Sequence, residues 1–409
     1  MNDLLERFCR YVRIDTTAIE GAKSYPSSPG QLELGRLLVA ELQELGVEAR
    51  QDEHGIVWAS LPATPGRHQA PVIALLAHLD TSPETSGAGV QPVVHPSYAG
   101  GDIVLPGDPA RVLRVAEFPE LQQMVGKTLI TSDGRTLLGG DDKAGVAVIM
   151  ETVAWLRHHP EVPHGPIRIV FTCDEEIGRG VDYLDPERLG AVAAYTLDGG
   201  GAGEIDCETF SADLAVERIR GINIHPSIAK DRMVNAVRLA ADFVSRLPRA
   251  TLSPETTSQR QGFLHPYRIE GGVAEANMRI LLRDFDTARL TEYADLLRRV
   301  AQTILADQPR AEIQVEIVPQ YRNMAEGLRK EPRAVALAEL AMRRAGVQPR
   351  RTFVRGGTDG SRLTEKGLPT PNLSCGQHNL HSPLEWVCLE EMDLARRVLI
   401  ELLQLWADQ

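Results

Sequence analysis

Five short stretches of this sequence hold side chains that could do chemistry, and the residues are all His, Asp or Glu. AHLDT carries His78 and Asp80 with one residue between them. On a strand that spacing puts both on one face, where His78 can ligate a metal and Asp80 can fix its ring. LLGGDDKAG, residues 137–145, offers Asp141 or Asp142 after a glycine pair. A glycine turn opening a helix can cradle phosphate, but adjacent carboxylates repel an anion and suit a divalent cation. FTCDEEIGRG, residues 171–180, sets three acids in a row after an apolar run, which is costly unless water or a cation meets them. Neighbouring Glu175 and Glu176 point in different directions, so one can bind metal while the other faces substrate and handles protons. YTLDGGG places Asp198 directly after a strand, and HNLHSP adds His378 and His381. Singly, each has a plain structural explanation: a buried histidine, a helix cap, a solvated acidic loop, a turn, an exposed loop histidine. Together they put His, Asp, Glu, Asp and His at the ends of successive elements. Zinc takes nitrogen and oxygen ligands of this kind, carboxylates can bridge two ions, and paired metals are a recurrent hydrolytic device.

The elements that must position them follow from periodicity. Leu32–Leu45 has apolar residues at helical spacing and stops at Gly46. PVIALLAH (71–78), PIRIVFT (166–172) and AVAAYT (191–196) are short apolar runs bounded by turn residues, the signature of buried strands, and Ala144–His158 is a helix between them. Helices interleaved with such strands predict an α/β domain with a mixed, mostly parallel sheet covered by helices. From about Asp206, ETFSADLAVERIRG and YRIEGGVAEANMRILLRDF alternate apolar with polar residues, as half-exposed strands do. The helices Met233–Arg246 and Ala288–Leu305 and a strand near Glu312–Val318 complete an inserted α+β lid, an antiparallel sheet with two helices. After about Arg322 the helix–strand alternation resumes and closes with a helix over Leu389–Trp406. The expected domains are therefore 1–207 with 323–409, and 208–322. Thr81–Val125 has little regular signal and is expected to be a long functional loop region.

Composition narrows the class. A length of 409 residues exceeds one typical core. A net charge of −12 repels phosphate backbones, so nucleic-acid binding is disfavoured. No apolar run is long enough for a bilayer, and the charged start MNDLLERFCRYVRI is not a secretory signal, so a cytoplasmic protein is expected. The five cysteines form no CxxC pair. They are expected to be reduced and mostly buried, leaving His and carboxylate to hold any metal.

HLDT, TLLGGDDKAGVAVIME, FTCDEEIGRG, YTLDGGG and HNLHSPLEWV resemble, in order, motifs of the dizinc aminoacylase and carboxypeptidase family of metallopeptidases, in its tripeptide aminopeptidase branch. NIHPSIAKDRMVNA, ILLRDFD and RGGTDG extend the resemblance through nearly the whole chain. It implies two Zn2+ per subunit and a small peptide substrate, and it allows a homodimer. Asp141 matches the bridging carboxylate, His78 and Asp198 the other ligands of one zinc, and Glu176 and His381 those of the second. Glu175 matches the general base and Asp80 the residue that orients His78. His225 matches a lid histidine that contacts the reacting carbonyl, and Asn235, Arg283 and Arg355 fall where substrate contacts are expected. The sequence departs from the family at Ser227, where glycine is usual, at Asp231 and Arg232, and at His378, where an aromatic is common. A deacylase or carboxypeptidase of the same family would share every ligand. A non-enzymatic metal-binding protein would have no use for an unliganded Glu175.

Overall fold

Two separate sheets carry most of the strands, and the chain divides with them. The computed structural model describes residues 1–409. One unit comprises Met1–Cys207, Met324–Phe353 and Thr358–Gln409; the other comprises Glu208–Asn323 and Val354–Gly357. Val354–Gly357, which the sequence pattern assigns with 323–409, thus group with the inserted unit.

In chain order the strands are β1 (Glu48–Gln51), β2 (Val57–Leu61), β3 (Ile73–His78), β4 (Val93–His95), β5 (Ile103–Val104), β6 (Val112–Leu113), β7 (Leu129–Thr131), β8 (Ile167–Thr172), β9 (Ala193–Gly200), β10 (Glu204–Thr209), β11 (Ser211–Arg220), β12 (Phe263–Gly271), β13 (Glu275–Asp284), β14 (Glu312–Tyr321), β15 (Arg350–Val354), β16 (Asn372–His378) and β17 (Trp386–Cys388). The helices are α1 (Asn2–Tyr11), α2 (Pro29–Glu44), α3 (Gly140–His158), α4 (Pro186–Leu189), α5 (Ala236–Ser245), α6 (Thr287–Asp307), α7 (Ala325–Leu328), α8 (Arg333–Arg344), α9 (Asp359–Glu365) and α10 (Leu389–Ala407).

The first unit is built on a mixed sheet ordered β1-β2-β8-β3-β9-β16-β17-β7-β4, with β10 pairing β16 and β15 off that path. Its centre, β8-β3-β9-β16, is parallel. The flanks are antiparallel. Every residue of β3 is buried, as befits a central strand covered on both faces. Leu75 and Ala77 enter one core with α1, α2, α3, α8 and α10, whereas Ala74 and Leu76 enter a second core with residues of α4 and α9. Between Thr81 and Val125 the chain supplies edge strand β4 and the small hairpin β5–β6, a satellite cluster around Leu105, Leu113 and Trp386. β9 extends to Gly200, so Asp198 lies on the strand and not after it. No helix is long and apolar enough to cross a membrane. All five cysteines are free thiols, and Cys173, Cys375 and Cys388 are buried.

The inserted unit is an antiparallel sheet ordered β12-β13-β11-β14, with α5 and α6 packed on its apolar face through Leu239, Phe243, Leu297 and Ala301. Alternation on β11 sends Ala215 and Ile219 into this core. Glu217 follows the same phase. It is fully buried, opposite Met278 and Val315, and neither carboxyl oxygen has a hydrogen-bond partner.

Candidate metal centre

The parallel strands set their carboxyl ends side by side, the usual place for a site in an open α/β sheet. β3 ends on His78, β8 leads directly into Asp174-Glu175-Glu176, and β9 carries Asp198 beside β3. His381 arrives three residues after β16. Asp141 sits at the start of α3, where both aspartates have non-helical backbone angles and Asp142 Oδ1 accepts the Gly145 N–H at 3.2 Å, as a helix cap does. The lead-in is a glycine turn with Gly139 at φ +82°, and a Cβ on Gly140 would fall 2.7 Å from Val387 Cγ1.

Two ligand groups result, and they share one residue. His78, Asp141 and Asp198 each offer an atom within 4.8 Å of the others, and so do Asp141, Glu176 and His381. Asp141 Oδ1 lies 2.9 Å from His78 Nε2, and Asp141 Oδ2 lies 3.2 Å from His381 Nε2. Glu176 Oε2 is 3.0 Å from His381 Nε2, and Asp198 Oδ1 is 3.8 Å from His78 Nε2. The donor set is nitrogen and carboxylate oxygen throughout, which suits zinc or a similar divalent ion. Glu176 Oε1 is buried without a partner, an acceptor that a cation would satisfy. Of the two histidines in HNLHSP, only His381 belongs to a ligand group. His378 pairs its Nε2 with Glu391 Oε2 at 2.7 Å and stacks on Trp386 at 3.8 Å.

The electrostatics show a site short of positive charge. Burial pushes the carboxyl of Glu176 up to about 8 and that of Asp198 up to about 6. Burial likewise lifts Glu175 well above the carboxylate range. Burial would lower both imidazoles, but hydrogen bonds to carboxylates outweigh it. Asp141 and Glu176 raise His381 to about 11, and Asp141, Asp198 and Asp80 raise His78 far above its usual value. Burial would raise Asp141, yet those same bonds from His381 and His78 hold it well below the usual range.

Glu175 stands outside both ligand groups. Asp80 holds it from behind: its Oδ1 accepts the Glu175 N–H and its Oδ2 the Glu176 N–H, each at 3.0 Å. Asp80 also approaches the His78 ring, with Nδ1 3.0 Å from its carbonyl oxygen and 3.4 Å from Oδ1. One carboxylate therefore braces a ligand and the acid pair together. Other side chains hold the ligands in place. Asp142 is fully buried and accepts the His78 N–H at 3.2 Å. Gln377 donates to Asp198 Oδ1 at 3.1 Å, and Asn372 Oδ1 accepts the Asp198 N–H at 3.0 Å. Glu385 accepts from the glycine turn.

The other four expected residues lie in the inserted unit, at two ends of its sheet. Arg283 pairs across from Ala212 near one end of β11. Its guanidinium donates to the phenol of Tyr321, and its Nε is buried without a partner. Arg355 is more fully committed. It donates to Thr257 O at 2.9 Å, Thr257 Oγ1 at 3.0 Å and Gln261 O at 3.0 Å, between the rings of Phe210 and Phe263. His225 and Asn235 lie beyond Arg220, the other end of β11. His225 is exposed, with Nδ1 2.7 Å from Ser227 Oγ. Asn235 caps α5, its Oδ1 accepting from Val237 and Arg238.

A sheet of this topology with two ligand groups meeting at one aspartate defines a hydrolase of the metallopeptidase type. The chain belongs to peptidase family M20/M25/M40, whose sequence profile matches residues 132–405, and it is a peptidase. It is 43% identical over 408 residues to peptidase T of Listeria monocytogenes, covering 100% of this chain and 99% of that one. Among solved structures it is similar to aminopeptidase PepT from Bacillus cereus, with a TM-score of 0.77 at 24% identity, covering 100% of this chain and 99% of that one. A tripeptidase from Staphylococcus aureus gives 0.78 at 23% identity, with the same coverage. These two show that the fold is shared.

Proposed function

We propose that the chain is a dizinc aminopeptidase that releases the N-terminal residue from tripeptides. The observation that carries this reading is Asp141, whose two carboxylate oxygens face His78 and His381 separately, as a carboxylate bridging two ions must. His78, Asp141 and Asp198 would hold one ion, and Asp141, Glu176 and His381 the other. The ions would supply Lewis acidity toward a water molecule and the scissile carbonyl. Glu175 accepts the water proton during attack and returns it to the leaving amine. Its exclusion from the ligand groups and its anchoring by Asp80 support that role. Asp80 fixes the His78 ring while holding the Glu175 backbone.

The similarity to peptidase T supports a short substrate. An arginine would grip its terminal carboxylate with two parallel hydrogen bonds. Arg283 suits this better than Arg355, whose two terminal nitrogens already donate to Thr257 and Gln261. Ala212, opposite Arg283, lies eight residues before Arg220, about 27 Å at strand rise, whereas an extended tripeptide spans roughly 10 Å. His225 and Arg283 of one chain therefore cannot both reach the same peptide. If both serve one site, His225 comes from a second copy, which favours a homodimer.

The test is a panel of di-, tri- and tetrapeptides, free, N-acetylated and C-amidated, with added zinc. Free tripeptides should be cleaved fastest. Either blocking group should cut kcat/KM more than tenfold, because it leaves a buried charged partner unpaired. Comparable turnover of N-acetylated tripeptides would favour a deacylase, and rapid cleavage of long peptides would exclude a cavity that reads both ends.

A further inference from the structure

Glu385 lies four residues after His381 and just before β17, and it is 1% exposed. Its Oε2 accepts the N–H groups of Leu138 and Gly139, each at 2.8 Å, and its Oε1 accepts the N–H of Asp141 at 3.0 Å. These three amides form the turn that presents Asp141. A buried carboxylate accepting three amides fixes backbone position more tightly than neutral hydrogen bonds can. The carboxylate is in turn held in its own loop, where the Glu385 N–H donates to Ser382 O at 3.0 Å. One short loop therefore carries His381 near its start and the clamp on Asp141 at its end. Closeness of packing makes the clamp sensitive to displacement: a Cβ on Gly140 would lie 3.1 Å from Glu385 Oε1 and 2.7 Å from Val387 Cγ1.

We infer that Glu385 is a positioning residue for the dinuclear centre, holding the Asp141 turn in register with His381 so that both metal positions form together. The inference rests on the dinuclear reading above. An outer partner of a metal ligand typically governs metal affinity by about 10–100-fold. Here the partner acts on the shared ligand, so both positions should respond. An amide at this place has one acceptor oxygen and cannot serve both sides of the turn.

The test uses the full-length protein and its Glu385→Gln variant. Stepwise Zn2+ and Co2+ titrations should show both affinities falling together by more than tenfold, with a changed visible spectrum of the cobalt form. In the metal-free proteins, the amides of Leu138, Gly139 and Asp141 should exchange at least tenfold faster in the variant. Gly140→Ala, which crowds the carboxylate without removing its charge, should shift the same quantities in the same direction, and it stands in if Glu385→Gln does not fold. Unchanged affinities and spectrum in the variant, beside a parent that binds two ions, overturn the inference alone. Weakening of one position only also overturns it. A parent that binds fewer than two ions at these residues overturns the dinuclear reading and the inference with it.

Discussion

Glu217 gives the most quantitative expectation. It stands between β11 and the helices of the inserted unit, with no hydrogen bond to either oxygen. Tyr293, in the same core, is bonded to Asp284 at the far end of β11, and no charged group offsets the burial of Glu217. Burial alone raises its carboxyl from 4.5 to about 9. The group therefore folds neutral, while the unfolded chain ionises above 4.5. Between those values the folded state holds the extra proton, so stability falls as pH rises. Each pH unit in that window weakens the folded state by up to about 1.4 kcal/mol, so the loss by pH 7 is roughly 3 kcal/mol relative to acid conditions. Glu217→Gln should abolish this slope although its amide stays unsatisfied. Glu217→Met should abolish it and stabilise the unit at pH 7 by about 3 kcal/mol or more, since it also removes an unpaired polar group. Hydrogen exchange of the β11 and β13 amides, corrected for intrinsic rates at pH 5–9, reads the opening free energy directly. Equal slopes in parent and Gln variant, or a Met variant that opens more readily than the parent at pH 7, would refute the reasoning.

Other expectations concern the site. Glu175→Gln should keep both metals, by elemental analysis, and lose roughly 10²–10⁴ in kcat; near-parent turnover would remove Glu175 from the mechanism. Asp141→Ala should lose both ions together, whereas His381→Ala should weaken mainly one, as resolved by calorimetric metal titration. Arg283→Ala should reduce kcat/KM for free tripeptides far more than for amidated ones, while Arg355→Ala should chiefly lower the thermal stability of the inserted unit; a reversal would exchange their roles. Mixing the inactive variants Glu175→Gln and His225→Ala should restore activity if His225 serves the partner subunit's site, and no recovery would place it within one chain.

The legible part of the fold was its centre. β3, β8 and β9 are uninterrupted apolar runs because both faces are covered, and such runs announce themselves. Six of the residues around the centre lie on, close or follow one of those strands or a glycine turn, and His381 stands in the loop after β16. The flanking strands β4, β7 and β17 span three residues each, too short for a period, and the pairings of β7 with β4 and β17 join segments far apart in the chain. Glu385 looked like a polar residue among apolar ones, since the amides that bury it are about 245 residues away. Arg355, which the resemblance places among substrate contacts, donates to the backbone carbonyls of Thr257 and Gln261, partners that no side-chain pattern reveals. Glu217 is in phase with Ala215 and Ile219, so alternation alone places it inside, where a carboxylate is ordinarily not found.

Strand order also sets a timetable. β16 and β17 lie between β9 and β7, yet they are among the last strands made. Until residues 372–388 leave the ribosome, β9 has an open edge and the sheet exists as two unjoined pieces. At ordinary synthesis rates Asp198 precedes His381 by roughly 10–40 s. A nascent or prematurely ended chain therefore carries the acids without the closing histidine, and without the carboxylate that clamps their turn. The proposed dinuclear centre can therefore close only after residues 381–385 have been made, long after its first ligands.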